Sequence, residues 1–385
     1  MLRRAGYACL ILLAALAAFA LWNREALVRL AAVNALFDED RIVHNFSHMD
    51  ELFLSAPMHM TGQPVPLPEG PALVMPNDWE DWLARRSVTG VVVLKDGARV
   101  HESYHLGTTQ DDQRISWSVA KSYLSALFGV LLDEGHVESL DVMVTEIVPE
   151  LRGSAYEGVS LRNVLQMSSG VSFDEDYLDF WSDINKMGRV LALGGSMDAF
   201  AAGLDARERP AGERWQYVSI DTHVLGMVVR AATGRSLPDL MQQKILDPIG
   251  AYGTPYYLID GHGVAFALGG LNLTTRDFSR LGEVFRLEGQ FQGKQIVPHD
   301  WAVESVTASA PTATGRKGYG YQWWTPSDAR AGEFMAQGVY GQYVYVDKQS
   351  GTVVAVNAAD RQFRAAGASD DALNMMRRIA RPEEE

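Results

Sequence analysis

Ser118 and Lys121 stand three residues apart in Ile115-Ser-Trp-Ser118-Val-Ala-Lys121-Ser, just ahead of a long apolar stretch. On a helix that spacing brings a hydroxyl and an amine onto one face, one turn apart. A serine in the first turn also sits at the positive end of the helix dipole. An amine so placed can activate a weak nucleophile without a histidine. Chance alone supplies one Ser-x-x-Lys in about every second or third chain of this composition, so the pair needs support from elsewhere.

A hydrolase built on Ser and Lys needs a second proton carrier and an oxyanion hole. Trp215-Gln-Tyr217-Val-Ser219 offers a Tyr-x-Ser further along the chain. A phenol beside an ammonium loses its proton more readily and can serve as base. The plain alternative is a structural tyrosine. Ala336-Gln337-Gly338-Val339-Tyr-Gly341-Gln342 is a glycine-rich approach to a strand, where a ligand can come close to the backbone. The plain alternative there is an ordinary turn.

Other patterns point away from other chemistries. His101-Glu102-Ser-Tyr-His105 matches His-Glu-x-x-His, but that pattern grips zinc only on a helix. Here it falls on a strand, where residues four apart are ~13 Å apart, too far to share one metal. There is no Gly-x-Ser-x-Gly elbow and no Walker phosphate loop. The single cysteine, Cys9, rules out a disulfide within the chain and a cysteine metal site. The net charge of −14 argues against nucleic acid or an anionic membrane surface as partner.

The elements that must position Ser118 follow from periodicity. Thr89 to Lys95 reads as a buried strand, Asp96-Gly97 as a hairpin turn, and Ala98 to His105 as the return strand. Leu124, Leu127, Phe128, Leu131 and Leu132 recur at helical spacing, ending at Gly135. A middle section of helices and loops runs through Ala231. Phe334 to Val346 and Thr352 to Asn357 read as a second pair of strands, joined by Asp347 to Gly351. Asp370 to Ile379 reads as a closing helix. The fold class is therefore α+β. An antiparallel sheet is formed from both ends of the chain and flanked by helices, with a mostly helical insert lobe.

With 385 residues, 47% of them hydrophobic, the chain can bury one large core. Arg3 and Arg4 precede an apolar run from Tyr7 to Trp22, the pattern of a secretory signal or a membrane anchor. Either one puts the catalytic part outside the cytoplasm, in the periplasm or on the outer face of the membrane. Attachment would run through residues 5–22. Residues 23–77 read as a connector, 78–381 as the hydrolase domain, and 382–385 as an acidic tail.

The order of these motifs resembles the serine β-lactamase and penicillin-binding-protein superfamily. Within it the chain is most similar to the class C β-lactamase-related hydrolases, which include family VIII esterases and aminohexanoate-dimer hydrolases. The resemblance runs from about Asp78 to Arg381. Ser118-Val-Ala-Lys121 matches the first motif and Tyr217-Val-Ser219 the second. Ala336-Gln337-Gly338 falls where a Lys-Thr-Gly motif belongs. Leu161 to Val171 and Gly270 to Gly282 match connecting segments. The resemblance implies an α+β transpeptidase-like fold and a serine hydrolase needing neither metal nor organic cofactor. It implies Ser118 as nucleophile, and Lys121 and Tyr217 as proton carriers. Ser219, Gln337 and Gly338 would lie at the substrate, and Tyr177 at the position of a substrate-contacting tyrosine. The backbone N–H groups of Ser118 and Val339 would form the oxyanion hole. The third motif lacks its lysine, which turns the expected substrate from β-lactams towards a small ester or amide. The alternatives are a D-amino-acid peptidase or transpeptidase, and a silent penicillin-recognising module.

Overall fold

The computed structural model describes residues 2–62 and 64–382. The Glu383-Glu384-Glu385 tail and the side chains of Arg3, Arg4 and Cys9 lie outside the described set. The hairpin expected from Thr89 to His105 is present as Val88–Lys95 (β1) and Ala98–Tyr104 (β2). Its Asp96-Gly97 corner has positive φ at both residues, the geometry that matches the twist of hairpin strands. Gly318–Tyr319 (β3) and Trp324–Thr325 (β4) come next in the sheet-forming order. The stretch from Phe334 to Val346, read as one strand, is two: Glu333–Gly338 (β5) and Gln342–Asp347 (β6). The chain reverses through Tyr340 and Gly341, at φ 60° and 88°. A bulky tyrosine in the left-handed region gives no turn signal in a sequence. Here its ring is held by stacking on Phe37, with centroids 4.7 Å apart. Thr352–Ala358 (β7) completes the set.

These strands make an antiparallel sheet of order β2-β1-β7-β6-β5-β4-β3 among the described residues. Both ends of the chain thus contribute to one sheet, as expected. The period of two sorts side chains between its faces. Val92, Leu94, Val344, Val346, Val353 and Ala355 enter the main core. Val91, Val93, Tyr345, Val354 and Val356 enter a second, smaller core. Burial on both faces explains why β1 and β7 read as nearly unbroken valine runs.

Seven longer helices accompany this frame: Leu2–Trp22 (α1), Arg24–Asn34 (α2), Ala120–Asp133 (α3), Asp183–Leu193 (α4), Ser219–Thr233 (α5), Thr275–Arg286 (α6) and Ala368–Ala380 (α7). α6 crosses the main-core face, and α7 with Trp79 and Trp82 covers the other. α3 and α5 pack together in the helical lobe, with Leu124, Leu127 and Leu131 of α3 and Val224, Leu225, Val228 and Val229 of α5 buried.

Residues of the 23–77 stretch are built into this body. Leu36, Ile42, Phe46, Met49, Phe53 and Met58 are buried in the main core. Ser55–Pro57 pairs with Tyr256–Leu258, which pairs with Leu271–Leu273, which pairs with Arg114–Ile115. That small sheet ends three residues before Ser118 and so fixes the approach to it. Among the described residues no single helix is both long and apolar enough to cross a membrane. Leu10–Trp22 and α2 form an apolar pair bent by 76°.

Candidate active site

Ser118 occupies a 3-10 turn, Trp117–Val119, that feeds directly into α3. Trp117 enters it at φ 43°, a left-handed conformation costly for a tryptophan. Neighbours on several sides hold it there: its ring lies 5.5 Å from Phe46 and 5.9 Å from Phe37. The turn leaves Ser118 half-buried, while Lys121 in the first turn of α3 is 1% exposed. Lys121 Nζ donates to the Leu268 carbonyl at 2.7 Å and lies 3.2 Å from Ser118 Oγ. The spacing read from sequence therefore does bring the hydroxyl and the amine together.

Burial drives the Lys121 amine from its ordinary 10.5 down to about 7, against the pull of Glu175 and Asp221. It can therefore be neutral near physiological pH and accept a proton. Tyr217 sits beside it, with Nζ 5.5 Å from the centre of the phenol ring. The ring stacks on Trp324 at 5.6 Å. Burial pushes the Tyr217 phenol well up, while hydrogen bonds involving Ser118 and Ser219 pull it down. Of the two groups, burial moves Lys121 towards neutrality and holds the Tyr217 phenol protonated.

A residue that sequence reasoning missed completes the cluster. Glu175, in the irregular loop between Phe173 and α4, accepts from the backbone N–H of Ser219. Its other oxygen lies 3.2 Å from Ser219 Oγ and accepts from Tyr177 OH at 3.1 Å. Burial pushes its carboxyl up, opposed first by the Ser219 N–H bond and then by the charge of Lys121. Asp221, in the first turn of α5, is pushed up by burial to about 8 and accepts from Tyr156 OH at 2.8 Å. Two acids thus act by charge on the lysine. The sole sequence hint was an acidic run, Asp174-Glu-Asp, which resembles a solvated loop.

The expected third segment is only partly at the site. β5 ends against the Ser118 turn: a Cβ added at Gly338 would lie 2.8 Å from the Ser116 carbonyl and 3.2 Å from the Ser118 nitrogen. Only glycine permits that approach. Val339 and Ser118 line the same cavity, and Tyr177 lines it too. Gln337 goes elsewhere: the strand alternation turns it to the opposite face, where its Nε2 lies 3.3 Å from Met335 Sδ. Ala336 is fully buried and offers no cation at the missing-lysine position. His101 and His105 lie on and just past β2, not on a helix. Their rings nevertheless lean together, each 3.0 Å from Ser103 Oγ, so the side chains meet more closely than the backbone rise suggests.

The cavity beside Ser118 measures about 310 Å³. Its wall draws on Val33, Leu36, Phe37, Met49 and Phe53 from the N-terminal segment, Ile184, Met187 and Leu191 from α4, and Phe266 and Leu268 behind Lys121.

The fold is that of hydrolases with the serine β-lactamase architecture. Residues 80–375 match the Beta-lactamase family, and the chain belongs to that family. The chain is 29% identical over 292 residues to a 6-aminohexanoate-dimer hydrolase of Paenarthrobacter ureafaciens, covering 72% of this chain and 74% of that one. A solved Bacillus anthracis protein with the provisional name 6-aminohexanoate-dimer hydrolase superposes with a TM-score of 0.80 at 22% identity. The match covers 91% of this chain and 96% of that one. EstCE1, a hydrolase with promiscuous acyltransferase activity, matches with a TM-score of 0.62 at 15% identity, over 77% of this chain and 95% of its own.

Proposed function

We propose that this hydrolase cleaves an ester or small amide through an acyl-enzyme on Ser118. The observation that carries the reading is a hydroxyl 3.2 Å from an amine that burial holds near neutrality, at the wall of an apolar cavity. Lys121 takes the proton of Ser118 Oγ as the oxygen bonds to the carbonyl carbon. The carbonyl oxygen, now negative, receives the backbone N–H groups of Ser118 and Val339. The bond to the leaving oxygen or nitrogen then breaks. Tyr217 gives that atom its proton and is restored from the Lys121 ammonium. Water attacks the ester in the second half, its proton returning along the same route to Ser118 Oγ, and the acid leaves.

The names of the relatives support amide and ester chemistry, and the absence of a cation at Ala336 supports it over β-lactam turnover. The basic then apolar N-terminus supports action outside the cytoplasm, which N-terminal sequencing of membrane and soluble fractions would test. The central test is mass spectrometry after treatment with a fluorophosphonate. An adduct on Ser118, absent from Ser118→Ala with unchanged circular dichroism, is expected. A wild-type protein that stays unlabelled and turns over no ester or amide overturns the reading.

A further inference from the structure

The cavity beside Ser118 differs in character from the catalytic cluster behind it. Both acids, Glu175 and Asp221, lie outside its lining. The one charged residue in the wall is Arg189 on α4, among the described residues. That cation is already engaged: its Nη1 donates to the Phe180 carbonyl at 2.8 Å, and its guanidinium stacks 4.0 Å from the Phe180 ring. The remaining wall is mainly aliphatic and aromatic, with Asn34, Asn185 and Ser118 as polar members. Leu178 and Phe180, both exposed, stand where the cavity meets solvent.

On the reading that Ser118 forms an acyl-enzyme, we infer that this cavity receives the acyl half of the substrate and that the acyl group is an uncharged aliphatic chain. At ~30 Å³ per water-sized group, 310 Å³ holds about ten such groups. That is a medium chain in the region of octanoyl to decanoyl. An acyl chain ending in an ammonium would bring its charge against a wall that holds one cation and no anion. Burying it there unpaired is costly. The inference therefore separates this chain's preference from the amino-terminated acyl group named in its relatives' substrate.

The test measures kcat/KM for p-nitrophenyl esters from acetyl to dodecanoyl, with 6-aminohexanoyl against heptanoyl as a pair of equal length. Each buried methylene is worth about fourfold. Octanoyl should exceed acetyl by at least ~100-fold, with no further gain beyond decanoyl, and heptanoyl should exceed 6-aminohexanoyl by at least ~100-fold at pH 7. Gly188 supplies the variant. It lines the cavity on α4, and a Cβ placed there meets nothing within 4 Å. Gly188→Leu also favours the helix, so folding is not at risk. It should lower the octanoyl-to-acetyl ratio at least tenfold and move the optimum to shorter chains. A flat chain-length profile, or 6-aminohexanoyl preferred over heptanoyl, with Ser118 still labelled by fluorophosphonate, overturns the inference alone. Failure of labelling together with failure to turn over every ester overturns the acyl-enzyme reading beneath it.

Discussion

Lys121→Met should remove activity and raise stability at the same time. In the fold, burial takes the amine from 10.5 to about 7. That displacement costs about 5 kcal/mol at ~1.4 kcal/mol per unit. Below pH 7 both folded and unfolded chains hold the proton, and the folded state carries the whole cost. Between pH 7 and 10.5 only the unfolded chain holds it. Wild-type stability should therefore rise with pH from about 8 to 10.5, by up to ~1.4 kcal/mol per unit; between 7 and 8 the Asp221 carboxyl, protonated only in the fold, offsets the gain. Methionine fits the volume without the charge. The change leaves the Leu268 carbonyl without its donor, which costs ~1–3 kcal/mol. The net expectation at pH 6 is a variant about 2–4 kcal/mol more stable than wild type, an advantage that disappears towards pH 10. Urea unfolding at pH 6 and 9.5, with equal slopes, measures it. Ester turnover should fall ~10²–10⁴-fold in the same protein. A Lys121→Met protein less stable than wild type at pH 6, or a wild-type stability that does not change from pH 7 to 10, would refute the argument that the fold holds this amine near neutrality.

Further outcomes follow from the same cluster. The wild-type kcat/KM should climb with pH through about 7, as Lys121 loses its proton, and then stay level while Tyr217 remains protonated; an acid limb near pH 10 contradicts this. Glu175→Gln removes a negative charge that supports the ammonium, so that limb should move to lower pH, and a shift upward in the pH–rate profile would show the sign to be wrong. Tyr217→Phe keeps the ring on Trp324 and loses the hydroxyl, and should cost ~10²–10⁴ in kcat with little change in melting temperature. Gly338→Val pushes β5 off the Ser118 nitrogen and should lower kcat by ~10² or more; near-normal turnover would remove β5 from the oxyanion site.

What the sequence made legible was local. Ser118 and Lys121 share a helical turn, so their encounter was readable from a spacing of three. β1, β2 and α7 announced themselves by valine runs, a turn pair and helical periodicity. Tyr217 and Gly338 were readable only as members of an ordered series, because their approach to Ser118 depends on the lobe and the sheet closing together. Glu175 showed only as part of an acidic run: an irregular loop has no period, and only the fold swings its carboxylate onto the first N–H of α5. Tyr340 hid the β5–β6 turn because the residue that permits its positive φ, Phe37, lies hundreds of positions away. The N-terminal wall of the cavity was illegible for the same reason. Val33, Phe37 and Phe53 have no pattern of their own and become apolar lining only against α4 and the Ser118 turn.

The position of β7 has a kinetic consequence. It is the strand that joins the first hairpin to the last, with Val354 opposite Val93 on one side and Tyr345 on the other. A nascent chain that has emerged only as far as β6 holds Ser118, Lys121 and Tyr217 but has no strand to bridge the two halves of its sheet. Closure must wait for the final segment and spans most of the chain, an arrangement that slows folding and leaves strand edges open in the interval. Acyl-transfer capacity would therefore arrive abruptly, at the end of synthesis and not by degrees. Refolding followed by Ser118 labelling should lag behind the recovery of helical signal.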